Sequence, residues 1–149
     1  MAERARLSLI PLHPTRAEAQ VVRLSEPLSF WGGIDPATGQ IIDRQHPQRG
    51  RSIRGACLLM PGLRGSTAAP GALLECVAAG TGPVAIISAQ RDAMAGMLTA
   101  LVSDFIGTRP LGIYALRKES GLVSIPDNVK AWLGDHSIEW DPQHPHSES

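Results

Sequence analysis

The chain is poor in cysteine, in aromatic residues and in net charge, and each shortage closes off a class of function. Cys57 and Cys76 are the two cysteines in 149 residues. Each lies inside an apolar segment, so no disulfide framework is available and the chain reads as cytoplasmic and reduced. Aromatics make up 4% of the residues against 15 glycines and 12 prolines, a composition of short elements joined by turns that excludes long coiled coils. Fourteen Lys and Arg balance fourteen Asp and Glu, which leaves no electrostatic reason for a nucleic-acid or anionic-membrane partner. No apolar run approaches the length of a membrane span, and the stretch LSLIPL near the N-terminus is too short for a signal peptide. Among the five histidines, His144 and His146 fall in the polar tail DPQHPHSES, and no pair has metal-ligand spacing on an element. No metal site is expected in this chain.

What is present is 43% hydrophobic residues, enough to bury one core, and a single domain over 1–140 with a disordered tail over 141–149 is expected. The first third is strand-rich. ARLSLIPL and AQVVRLSEPLSF carry partly alternating apolar residues, and GQIID follows the turn-forming DPATG, in which Pro36 sets φ and Gly39 suits a positive φ. DRQHPQRGRS reads as a polar loop. SIRGACLLM is a buried strand, followed by a helix that Ser66 or Thr67 can cap, with Pro70 in its first turn and Gly80 at its end. VAIIS is the next strand. In RDAMAGMLTALVSDFIG, Met94, Met97, Leu98, Leu101, Val102 and Phe105 recur at three and four residues and predict a helix with one buried face. LGIYAL reads as a strand, PDNVKAWL as a short helix and SIEW as a last strand. The fold class is therefore α/β with a strand-rich N-terminal part.

The stretch MPGLRGSTAAPGALLE joins a strand to a helix through Gly, Arg, Gly, Ser and Thr. Such a junction presents unpaired backbone N–H groups and the positive end of a helix dipole, which together suit an anion. Arg64 adds a fork for a carboxylate or phosphate, Gly65 permits close approach to the backbone, and the Ser66 hydroxyl sits where negative charge on oxygen is stabilised. The plain alternative is that Ser66 and Thr67 only cap the helix and Arg64 is a solvated charge. The glycine spacing and the missing lysine exclude a Walker loop.

A second stretch, EPLSFWGGIDPATGQIIDRQHP, carries a resemblance. Phe30, Trp31, Gly32, Gly33, Asp35, Pro36, Thr38, Gly39, Ile41, Ile42, Asp43, His46 and Pro47, followed by Pro61, Arg64, Gly65, Ser66, Leu73, Leu74 and Glu75, resemble the small subunit of the aconitase X family. The resemblance is specific from about Glu26 to Glu75 and fades beyond Pro110. It implies a swivelling β/β/α domain of the aconitase type, working against a separate aconitase X large subunit that holds an iron-sulfur cluster. Two cysteines in apolar segments cannot supply that cluster here. The implied chemistry is dehydration of a small-molecule carboxylate, with Ser66 as the base and Arg64, Gly65, Thr67, Trp31, Gly32 and Gly33 around the substrate. The family's substrates are cis-3-hydroxy-L-proline, which the Phe-Trp form of the signature favours, and mevalonate 5-phosphate. A non-catalytic carboxylate- or phosphate-binding module and a purely structural partner are the alternatives.

The chain departs from the family pattern at Gly62 and Leu63 before Arg64, and at Ala68, Ala69 and Pro70 after Ser66. Trp31 with Gly32 and Gly33 suits a substrate cleft, a subunit interface or merely the cover of a core edge. Asp35 is expected to hydrogen-bond its own backbone. His46 reads as a solvated loop residue, with a second acid or a substrate ligand as the sharper reading.

Overall fold

The computed structural model describes residues 3–62, 69–90 and 111–142. Among them are seven strands and three helices: β1 Ala5–His13, β2 Ala17–Arg23, α1 Phe30–Gly33, β3 Cys57–Met60, α2 Ala69–Ala79, β4 Ala85–Ser88, β5 Gly112–Leu116, α3 Gly121–Ser124, β6 Lys130–Leu133 and β7 Ser137–Trp140. The helix expected over 91–107 and the polar tail from 143 onward lie outside the described residues.

The strands close into a barrel in the order β1-β5-β4-β3-β2-β6-β7. Closure depends on β1 and β2 each serving two neighbours. Ala5–Ser8 of β1 pairs antiparallel with β7, and the stretch from Leu9 to His13 pairs with β5. In β2, residues 17–20 pair antiparallel with β6, and 21–23 pair parallel with β3. The parallel strands β3, β4 and β5 run side by side in register, Met60 beside Ser88 and Ser88 beside Ala115. Their C-terminal ends therefore lie at one edge.

Both faces of β3, β4 and β5 are buried throughout, which explains why these strands read as continuous apolar runs. Successive side chains point to opposite faces. Cys57, Leu59, Ala85 and Ile87 therefore join Leu9, Val21, Leu133 and Ile138 inside the barrel. Leu58, Met60 and Ile86 face outward onto Leu73, Cys76 and Val77 of α2. This is the β/β/α arrangement that the resemblance implies.

The stop of α2 follows from its sequence. Gly80 takes φ +78°, its N–H donates to Val77, and the Thr81 and Gly82 N–H groups donate to the Cys76 carbonyl. These bonds occupy the last carbonyls of the helix, as a left-handed C-terminal residue allows. Pro70 falls in the first turn, as expected.

Two expectations are corrected. PDNVKAWL is not a helix: Lys130–Leu133 is the strand β6, between β2 and β7. Val129, Trp132 and Leu133 mimic a helical spacing, but Val129, Ala131 and Leu133 are the buried set, the alternation of a strand. Ladder pairing on both sides, entered from Asn128 at φ +63°, outweighs the local preference. The segment GQIID forms only the isolated bridges Ile34 to Ile41 and Gln40 to Ser52. There, Ile34, Ile41 and Ile53 anchor an irregular loop into the helix-side core.

Candidate functional site

Arg64, Gly65, Ser66 and Thr67 lie outside the described residues, and what is described is the frame that delivers them. Residues 63–68 connect the C-terminal edge of β3 to α2. Pro61 and Gly62 leave β3, and the Gly62 carbonyl accepts the Leu28 N–H at 3.3 Å. That bond ties the segment before Phe30 to the residue that leaves β3. A Cβ at Gly62 would fall within the side chain of Gln90, so glycine here lets Gln90, just past β4, lie directly on the backbone. One departure from the family pattern thus has a packing reason.

The Phe-Trp-Gly-Gly segment forms α1, a single turn packed against α2. Phe30 is its buried anchor, 1% exposed. Trp31 and Gly32 follow on the same turn, with Gly32 exposed at φ +76°. Gly33 is buried, and its carbonyl accepts the Ile42 N–H at 2.9 Å. The two sequence stretches singled out above therefore meet at one place: α1 lies against α2, and Leu28, two residues before α1, is bonded to Gly62, just past the end of β3.

The Asp35–Gly39 turn, just after α1, is tied to the end of α2. The Asp35 carboxylate accepts the Ala37 N–H at 3.0 Å and its carbonyl accepts the Gly39 N–H at 2.7 Å, as an Asx turn does. The Thr81 hydroxyl, just beyond α2, donates to the Pro36 carbonyl at 2.7 Å and lies 3.2 Å from that of Cys76. Gly39 has φ +77°, and a Cβ there would stand 2.5 Å from the Thr81 carbonyl oxygen. Both the dihedral angle and the close approach require glycine.

His46 is corrected from a solvated residue to a buried one, 4% exposed. Its Nδ1 accepts the Gln48 N–H at 3.1 Å and its Nε2 donates to the Glu26 carbonyl at 3.2 Å. With both ring nitrogens engaged by backbone, the imidazole clips the 43–50 loop to the segment that leads into α1. This displaces the acid and ligand readings.

Sequence reasoning missed a polar clamp on the far side of β2. Asp127 accepts the Arg23 N–H at 2.8 Å and the Arg51 guanidinium at 2.7 Å, while Arg51 also donates to Asn128 Oδ1 at 2.8 Å. Partial burial pushes the Asp127 carboxyl up, but the Arg23 N–H, the hydrogen bond and charge of Arg51 and the Asn128 N–H outweigh it and hold it below the ordinary aspartate value. Partners 76 and 104 residues away leave no local signal.

Among the described residues no three of His, Cys, Asp and Glu are grouped to hold a metal ion. The two thiols do not fit an iron-sulfur cluster. Cys57 lies inside the barrel and Cys76 on its helix side, and burial pushes the Cys57 thiol up to about 12, far from the thiolate that ligation needs. No helix among the described residues is long and apolar enough to cross a membrane.

Comparison with known proteins places this frame. Residues 7–127 match the aconitase X swivel domain. A phosphomevalonate dehydratase small subunit of Methanothermobacter thermautotrophicus is 47% identical over 72 residues, 48% of this chain and 55% of that protein. A cis-3-hydroxy-L-proline dehydratase of Pseudomonas aeruginosa is 42% identical over 89 residues, 60% of this chain and 15% of that protein. The chain thus matches only about half, or much less, of the length of these curated relatives. The crystal structure of Thermococcus kodakaraensis aconitase X in its holo-form superimposes with a TM-score of 0.74 at 25% identity, covering 93% of this chain and 99% of that one. With the barrel, the helix layer and the α1–α2 junction all accounted for, the chain belongs to the aconitase X swivel domain family.

Proposed function

We propose that this chain is the small subunit of an aconitase X-type hydro-lyase in the cytoplasm, completed by a large subunit that carries the iron-sulfur cluster. The observation that carries the reading is the family match over residues 7–127, which spans the Gly-Leu-Arg-Gly-Ser-Thr segment between β3 and α2. Ser66 takes the proton from the carbon beside the substrate carboxylate. A free serine is too weak a base, so the alkoxide must be stabilised by Arg64, the backbone N–H groups of the turn and the N-terminal end of the helix. Gly65 and Thr67 leave room and donors for the carboxylate. Trp31, Gly32 and Gly33 stand on the neighbouring turn, where Gly32 offers exposed backbone. No step is assigned to a cluster on this chain, because its thiols do not fit one.

The proposed substrate is cis-3-hydroxy-L-proline, on the Phe-Trp form of the signature that Phe30 and Trp31 carry. A second reading, mevalonate 5-phosphate, is favoured by the relative that is itself a separate small subunit and shares 47% identity.

The test is co-purification with a large subunit, followed by assays of both substrates. Turnover should require both chains, and Ser66→Ala should lower it about 1,000-fold, as loss of a proton-transfer group does. Turnover that survives the substitution removes Ser66 from the mechanism. A wild-type pair that binds carboxylates without consuming either substrate points to the binding-module reading instead.

A further inference from the structure

Three cationic side chains with no assigned role converge on one pocket. Arg6 on β1 and Arg117 and Lys118, directly after β5, line a concavity of about 330 Å³ together with Ser8, Ser120 and Ser124. It lies at the C-terminal end of β5, the same edge of the parallel strands at which β3 ends. Two strand spacings, about 10 Å, separate β3 from β5.

The pocket is built from the sheet outward. Arg6 and Ser8 are two residues apart on β1 and share its outer face. Between them Leu7 turns inward and packs against the barrel core. The opposite wall is the turn into α3. Gly121 is buried there, and a Cβ on it would stand 2.9 Å from Leu116 Cδ2 and 3.3 Å from Leu7 Cδ2. The bare glycine lets α3 close onto the strands, giving an apolar floor below a cationic rim.

The rim charges are uncompensated among the described residues. Arg6, Arg117 and Lys118 make no ion pair among the described residues, although Glu139 stands opposite Arg6 in the β1–β7 ladder and Glu119 adjoins Lys118. Ser124 donates its hydroxyl proton to the Ser120 carbonyl, which leaves Ser8 and Ser120 as the hydroxyl donors. Two guanidinium forks, one ammonium and two hydroxyls match a tetrahedral, doubly charged oxyanion better than a planar single carboxylate.

We infer that this pocket binds the phosphoryl group of a small molecule, held between Arg6 on one wall and Arg117 and Lys118 on the other. The inference is independent of the chemistry at Ser66.

The test is a titration of the full chain with inorganic phosphate in about 0.15 M NaCl, where diffuse surface attraction is screened, followed by amide and arginine NMR signals. Saturable shifts should be confined to residues 6–8 and 117–124. Removing both charges of one wall in Arg117→Ala/Lys118→Ala should weaken binding about tenfold or more. Arg6→Gln should weaken it from the opposite wall, and it decides the matter if the double variant does not fold. Arg49→Ala, in a separate basic loop, should leave the affinity unchanged. Shifts that do not saturate, that spread to the Arg44–Arg49 loop, or that persist in both pocket variants overturn the inference. Equal binding of citrate overturns the assignment to a phosphoryl group.

Discussion

Inside the barrel, Val21, Cys57, Leu59, Ala85 and Ile87 face one another from regular strands. Across the same strands, Leu58, Met60 and Ile86 face Leu28, Phe30, Ile34, Ile41 and Ile53. These come from a segment with one short helix and two isolated bridges. The barrel core is held by ladders that close on themselves, so no unpaired edge is left among these strands. The helix-side core is held by clips: the His46 ring, the Thr81 hydroxyl and the Leu28 to Gly62 bond. The proposed active-site residues Arg64–Thr67 follow Gly62 in sequence, which the Leu28 N–H clips. A rigid barrel with a less regular layer on one face lets the residues near chemistry be adjusted without dismantling the ladders.

That contrast can be broken most severely inside the barrel. Leu59 is fully buried, so Leu59→Ala should cost about 3 kcal/mol of global stability, lowering the urea midpoint for every spectroscopic probe together. On the clipped side, Gly39→Ala meets both a positive φ and the Thr81 carbonyl. A loss of about 2 kcal/mol is expected, with hydrogen exchange accelerating first in the 35–54 loop and at the end of α2 rather than in β3 or β4.

Asp127→Asn probes a tie between the irregular loop, through Arg51, and the barrel, through Arg23. A loss of about 1 kcal/mol at neutral pH is expected. The folded carboxyl is held below its ordinary value of 3.8. Its stabilisation is therefore complete above that value and disappears as pH falls through the lowered folded value. Wild type and variant should converge in acid, which denaturation curves from pH 7 down to about 3 would reveal. The smallest effect is expected for Gly33→Ala, whose Cβ would meet Leu28 Cδ1 at an ordinary 3.7 Å. Its stability should change by less than about 0.5 kcal/mol, so a large loss of turnover in the assembled enzyme would speak for a role of this backbone at the substrate.

Much of the barrel was legible because its signals are local. CLLM, AIIS and GIYAL are short apolar runs bounded by turn residues, and each is a strand. The Gly80 stop and the Asp35 turn were legible for the same reason, since the bonds they make span only a few residues. The Phe30–Gly39 signature was legible as a family resemblance, and the family match spans it; Arg64–Thr67 lie outside the described residues. That α1 packs on α2 was not legible, because nothing in either stretch points to the other.

The sequence alone determined where the chain turns at Asp35–Gly39 and at Gly80, and which runs are apolar enough to be buried on both faces. Tertiary structure decided that Lys130–Leu133 is a strand, that His46 is buried, and that β1 and β2 each divide between two neighbours to close a barrel. It also decided that Gly62 lies under Gln90 and that Arg6 and Arg117 share a pocket. The physical reason is range. A helix cap or a tight turn is stabilised within a few residues, whereas the Arg23 N–H finds Asp127 and the Thr15 N–H finds the Tyr114 hydroxyl only after the intervening hundred residues have folded.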